Sequence, residues 1–242
     1  MKVIKVKNYE EMSAEGFKYL MNVIQNNQAP VLGLATGTTP MGVYQAMIQD
    51  HQENHTSYEH VRTINLDEYV GVDKNHQQSY ATFMNQHLFK FLDIKENNCY
   101  IPRGIKEDKE KECLRYNDII ATNPIDVQLL GIGGNGHIGF NEPGTALNSL
   151  THVVSLDERT RLDNARFFTS LDEVPKYAIT MGIQSIMKAK QIILLASGKS
   201  KAAAVAQMIK GDVTPDCPAT VLQLHPNVIV IADEEALSDI VI

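Results

Sequence analysis

The sequence predicts a single-domain α/β protein, spanning 1–242, with a mostly parallel, doubly wound sheet and helices on both faces. Three observations predict it. Apolar runs alternate with amphipathic stretches along the whole chain, the pattern of strands joined by crossover helices. The runs are short and apolar, as strands covered on both faces require. Hydrophobic residues make up 43% and charged residues 21% of the 242, an ordinary globular composition in a length that can enclose one large core.

Element by element, "MKVIKVKNYEEMS" alternates apolar and basic residues around "VIKV" and reads as an edge strand. Strands follow at "VLGLA" (31–35), "VRTINL" (61–66), "IDVQLLG" (125–131), "HVVSL" (152–156), "QIILLA" (191–196) and "NVIVIA" (227–232). Helical stretches lie between them: "MGVYQAMIQ", "KAAAVAQMIK", and "QQSYATFMNQHLFKFL" with Phe83, His87, Leu88, Phe91 and Leu92 along one side. The charged segment "KEDKEKECLRYND" reads as the solvated face of a helix. The sum is a Rossmann-like order of elements.

Charge and composition narrow the function. With 22 basic and 29 acidic residues the formal charge is −7, which argues against nucleic acid or an anionic membrane as partner. Cys99, Cys113 and Cys217 lack zinc or Cys-x-x-Cys spacing and read as reduced packing thiols. No stretch resembles a signal peptide or approaches the roughly 20 apolar residues of a membrane span, so a cytoplasmic protein is expected. His51, His55, His60, His76, His87, His152 and His225 show no metal-ligand spacing, so no metal is expected.

In a parallel sheet, ligands bind beyond the carboxyl ends of the strands. Four such loops carry chemistry. Thr36-Gly37-Thr38-Thr39-Pro40 offers backbone N–H groups and hydroxyls to one spot, which suits a phosphate, with Thr39 as helix N-cap and Pro40 at the first helical position. Asp67 and Glu68 follow an apolar strand, where partial desolvation improves a carboxylate as a base near neutral pH. "SGKSK" places Lys199 and Lys201 at a helix start, where a lysine gains most if an anion is present.

The fourth loop, "LLGIGGNGHIGFNEPGTAL" (129–147), contains Gly131-x-Gly133-x-x-Gly136, the spacing of a dinucleotide fingerprint, with Asp157 about 20 residues on. That fingerprint needs a helix opening at its third glycine. Gly139, Pro143 and Gly144 forbid one, since glycine costs roughly 1 kcal/mol and proline roughly 3 in a helix interior. The loop instead presents His137, with the flanking glycines expected to have no packing role and to leave its ring exposed, and Glu142 is placed to orient one ring nitrogen.

"LATGTTPMGVYQ", "NLDEYVG", "GIGGNGHIGFNEPG", "RTRLDNARFF", "SGKSKA" and "LQLHP" resemble, in order and across nearly the whole chain, the motifs of the glucosamine-6-phosphate deaminase family. The resemblance implies conversion of glucosamine 6-phosphate to fructose 6-phosphate and ammonia in amino-sugar catabolism, without a cofactor. It implies Asp67 as the base at C2, and His137 as the ring-opening group with Asn135 and Glu142 holding its tautomer. Thr36, Gly37, Thr38, Thr39, Arg166 and Lys201 would bind the phosphate, and 152–181 would act as a lid.

Many members have aspartate where this chain has Asn135, so charge for a protonated His137 must come mainly from Glu142. In the hexameric branch, an arginine and a lysine after the active-site loop bind the activator N-acetylglucosamine 6-phosphate. Ungapped alignment from "FNEP" puts His152 and Val154 there, which implies no such activation and a monomer or small homo-oligomer. The alternatives are a 6-phosphogluconolactonase-like hydrolase, disfavoured by Tyr69 and by the sequence Phe140-Asn141-Glu142-Pro143, and a non-catalytic sugar-phosphate-binding module.

Overall fold

The computed structural model describes residues 1–156, 170 and 173–240. In chain order the elements are β1 (Lys2–Val6), α1 (Tyr9–Gln25), β2 (Val31–Leu34), α2 (Met41–Asn54), β3 (Arg62–Asn65), β4 (Asp67–Tyr69), α3 (Tyr80–His87) and β5 (Cys99–Tyr100). Then come α4 (Lys109–Thr122), β6 (Val127–Leu130), β7 (His152–Ser155), β8 (Tyr177–Thr180), α5 (Ile183–Ile186), β9 (Gln191–Ala196), α6 (Ala202–Lys210) and β10 (Val228–Asp233).

Seven strands form one parallel sheet in the order β1-β10-β9-β6-β2-β3-β5. Its central strands bury both faces, so alternate side chains feed two cores. Leu32, Leu34, Val127, Leu129, Ile193 and Leu195 pack under α1 and α2 against Met12, Leu20, Tyr44 and Met47. Val31, Leu130, Ile192 and Leu194 pack on the other side against Tyr116, Val205 and Met208. Chain order reverses direction at β2, which lies between β3 and β6. That switch point opens a crevice between the loops after β2 and β6. The basic, half-exposed N-terminal strand is an edge, as its pattern predicts.

Several expectations need correction. The strand expected at 61–66 is β3, but the Asp67–Glu68 pair that follows it is not in a loop: after Leu66 the chain enters β4 in a separate sheet, ordered β4-β8-β7. The run at 152–156 belongs to that antiparallel sheet and not to the parallel one. The helix expected through Leu92 stops at His87. Leu88 takes φ −145°, ψ −64°, and a 3-10 turn follows at Phe89–Phe91. Met84, Leu88 and Leu92 reach the core while Phe91 stays 40% exposed, because the break rotates the predicted stripe. The charged segment before β6 is not simply a solvated face. Glu112 is buried, accepting from Arg103 N at 2.8 Å and Arg115 Nε at 2.7 Å.

Candidate active site

Buried β2 delivers the Thr36–Thr39 loop to the switch point, turning at Gly37 with φ +90°. Thr39 does not cap α2. Pro40 occupies the cap position with helical angles and no side-chain hydrogen bond, and Met41 N instead donates to Thr38 O at 3.3 Å. A proline one position earlier than expected leaves the Thr39 hydroxyl unused by the helix. From the end of β9, the 3-10 turn Lys199–Lys201 brings Lys201 to the same crevice, whereas Lys199 points to solvent. Burial lowers the pKa of Lys201, and its amine has no ion-pair partner among the described residues, so an anion there would be bound strongly.

Asp67 and Glu68, adjacent in β4, have separate tasks. Period-two alternation sends them to opposite sides of the strand. Glu68 is buried and caps α3, accepting from Tyr80 N at 2.9 Å and Ala81 N at 3.0 Å, as well as from Tyr69 N at 2.9 Å. It is a structural acid. Asp67 faces the crevice at 6% exposure. Burial, reinforced by the Glu68 charge, pushes its carboxyl up to about 8. A carboxylate tuned there can take and return a proton near neutrality.

No helix forms between Gly136 and β7, as the glycines and proline predict. The turn holds His137 with its side chain 35% accessible, and Nδ1 lies 3.3 Å from Glu142 Oε1. Asn135 braces the pair: its Nδ2 donates to Glu142 Oε2 at 2.7 Å, and its Oδ1 accepts from His137 N at 3.2 Å. Burial alone would raise the Glu142 pKa, but the contacts from His137 and Asn135 outweigh it and hold the acid below its ordinary range. The glycines do pack, contrary to expectation. A Cβ on Gly133 would fall within the His137 ring, and one on Gly136, at φ +85°, would collide with Cys217 Sγ.

One cavity of about 600 Å³ collects Thr36, Gly37, Thr38, Thr39, Asp67, His137 and Lys201. Asn135 and Glu142 stand behind His137. Arg166, Asp157 and half of the predicted lid lie outside the described residues. Among the described residues no cluster of His, Cys, Asp or Glu could hold a metal ion. Sequence reasoning missed an aromatic wall. Tyr69 and Tyr80 lie 4.7 Å apart, Phe140 stacks on Tyr80 at 6.1 Å and 12°, and Tyr80 Oη donates to Tyr69 Oη at 3.2 Å. Tyr69 and Phe140 flank the acid and histidine motifs, a usable signal. Tyr80 gives none, since it starts a helix in another segment.

Residues 7–230 match the family described as glucosamine-6-phosphate isomerases/6-phosphogluconolactonase. The chain belongs to that family. A glucosamine-6-phosphate deaminase of Geobacillus sp. (strain WCH70) is 53% identical over 239 residues, covering 98% of this chain and 95% of the relative. One from Oceanobacillus iheyensis is 52% identical over 241 residues, covering 99% and 96%. Among solved structures, a monomeric glucosamine-6-phosphate deaminase superposes with a TM-score of 0.95 at 47% identity, covering 99% of this chain and all of that one. The 6-phosphogluconolactonase from Trypanosoma cruzi superposes at 0.80 with 20% identity, covering 100% and 97%, which shows a shared fold alone. In this chain the cavity beside the Thr36–Thr39 loop is lined by the buried Asp67, by His137 and by the aromatic wall.

Proposed function

We propose that this chain is a glucosamine-6-phosphate deaminase, converting glucosamine 6-phosphate and water to fructose 6-phosphate and ammonia. The observation that carries the reading is a buried Asp67 tuned to about 8 in the cavity that also holds His137 and the phosphate loop. The full-length relatives that bear this name support it.

The phosphate sits on the Thr36–Thr39 loop, with Lys201 giving charge-assisted bonds and Arg166 adding to them. His137, oriented by Glu142 and Asn135, moves a proton from O1 to the ring oxygen O5 as the C1–O5 bond breaks, giving the open-chain aldehyde. Asp67 then removes the proton from C2 while O1 takes one from the 2-ammonium group, forming a 1,2-enolamine. The same carboxyl returns its proton to C1, which leaves an iminium ion at C2. Water adds to C2, the C–N bond breaks, ammonia departs and the ketose remains. The aromatic wall covers the apolar side of the sugar and keeps the enolamine dry. The protein works in the cytoplasm as a monomer or small homo-oligomer, without nucleic acid or membrane.

The test supplies glucosamine 6-phosphate to the protein with no added cofactor and follows ammonia and fructose 6-phosphate together. Equal amounts of both are expected. Faster turnover of 6-phosphogluconolactone than of the amino sugar would overturn the reading.

A further inference from the structure

The helix behind the phosphate loop has no cap of its own, because Pro40 at its cap position offers no side-chain acceptor. First-turn N–H groups need partners. Here one comes from a distant element. Tyr9, the first residue of α1, accepts from Gly42 N at 2.8 Å through its hydroxyl and donates to Thr38 O at 2.9 Å. A phenol can give one proton and accept others, so the two bonds use both capacities and fix the direction of each. The hydroxyl thus ties the end of the loop to the start of α2.

Close packing sets the reach of this tether. A Cβ on Gly42 would lie 2.6 Å from Ser13 Cβ and 3.2 Å from Tyr9 Cε1, so α1 approaches α2 only over a glycine. Ser13 Oγ donates to Tyr9 O at 2.8 Å, a bond within α1 that touches neither the Tyr9 hydroxyl nor the loop. Tyr9 does not line the cavity that holds Asp67 and His137. It lines a neighbouring one of about 670 Å³ that shares Thr38, Thr39 and Lys201 with it. Among the described residues, the N–H groups of Gly37, Thr38 and Thr39 donate to no protein acceptor, and the Thr39 hydroxyl stays unused by the helix.

We infer that Tyr9 is a positioning residue for phosphate recognition: its hydroxyl holds Thr38 and Gly42 at the spacing in which the loop's free donors converge on the anion. The inference rests on the sugar-phosphate reading above. In Tyr9→Phe the ring and its packing stay while the tether goes. KM for glucosamine 6-phosphate and the inhibition constant for inorganic phosphate are expected to rise together, roughly three- to tenfold. The turnover number should stay within about twofold, because the reacting carbons are remote from the loop. Ser13→Ala trims the same helix seam without breaking a loop hydrogen bond, and leaves both constants unchanged.

A Tyr9→Phe protein with a lower melting temperature but unaltered KM and phosphate inhibition would overturn the inference, as would an equal rise in Ser13→Ala. Absence of deamination by the unaltered chain would count against the proposed function instead. Calorimetric titration with inorganic phosphate, which needs no turnover, then decides the role of Tyr9 by the same criterion: weaker binding in Tyr9→Phe supports it and equal binding refutes it.

Discussion

Gly133→Ala should silence the site while leaving the fold standing. Gly133 has no positive φ, so alanine adds no backbone strain, and its N–H donates to His137 O at 2.9 Å in either protein. The new Cβ would lie 2.5 Å from His137 Nε2 and nearer still to Cε1 and Nδ1. Unstrained contacts sit at about 3.5 Å, so the ring must retreat by about 1 Å or more. With its side chain 35% accessible His137 has room to swing, so the strain is relieved by the side chain and not by the core. The retreat breaks the 3.3 Å approach of Nδ1 to Glu142 and carries Nε2 away from the sugar. A misplacement of about 1 Å costs on the order of a hundredfold in rate, or about 2.7 kcal/mol of transition-state stabilisation. Initial rates of ammonia release give kcat/KM, and calorimetry gives the melting temperature. A folded variant within threefold of the parent kcat/KM would refute the role given to the His137 ring. A variant that melts many degrees lower would refute the claim that the side chain absorbs the strain.

Asp67→Asn should abolish exchange of the C2 proton with deuterated solvent while phosphate affinity changes less than about threefold, and exchange at the parent rate would remove Asp67 as the base. Because Asp67 titrates at about 8 in the folded chain and near 3.9 unfolded, the native state holds its proton more tightly. Its contribution to stability is therefore fully present below about pH 4 and is lost progressively up to about pH 8. Denaturation series should show Asp67→Asn gaining on the parent across that window, while kcat/KM of the parent rises with pH toward 8. Glu112→Ala strands the partly exposed Arg115 and the Arg103 N–H, and urea titration should show a loss of about 2–3 kcal/mol; a loss under about 0.5 kcal/mol would disprove it. Substrate dependence should be hyperbolic and indifferent to N-acetylglucosamine 6-phosphate, since Val154 packs its side chain against Tyr69, Leu156 and Ala178 and carries no charge for a phosphate. A sigmoidal curve made hyperbolic by that effector would contradict this.

The parallel sheet and the four candidate loops were legible because they depend on local pattern. Buried strands announce themselves as apolar runs, β9 to the residue, and glycines with a proline after His137 exclude a dinucleotide helix whatever surrounds them. The motif residues Thr36–Thr39, Asp67, His137 and Lys201 could be named for the same reason, since each lies next to a strand end. What tertiary structure alone decided is which groups meet. Nothing local says that β4 leaves the parallel sheet to pair with β8, which buries Asp67 and lifts its pKa. Nothing local says that Glu68 is consumed by the N–H groups of α3 and so is free for no chemistry. The Thr39 cap failed because Pro40 takes the cap position, and the acceptor for Gly42 N is the Tyr9 hydroxyl, which arrives from 33 residues earlier. Periodicity reports how deeply a residue is buried, whereas a hydrogen-bond partner or a pKa depends on what the chain brings within a few ångströms, and that distance is set by topology.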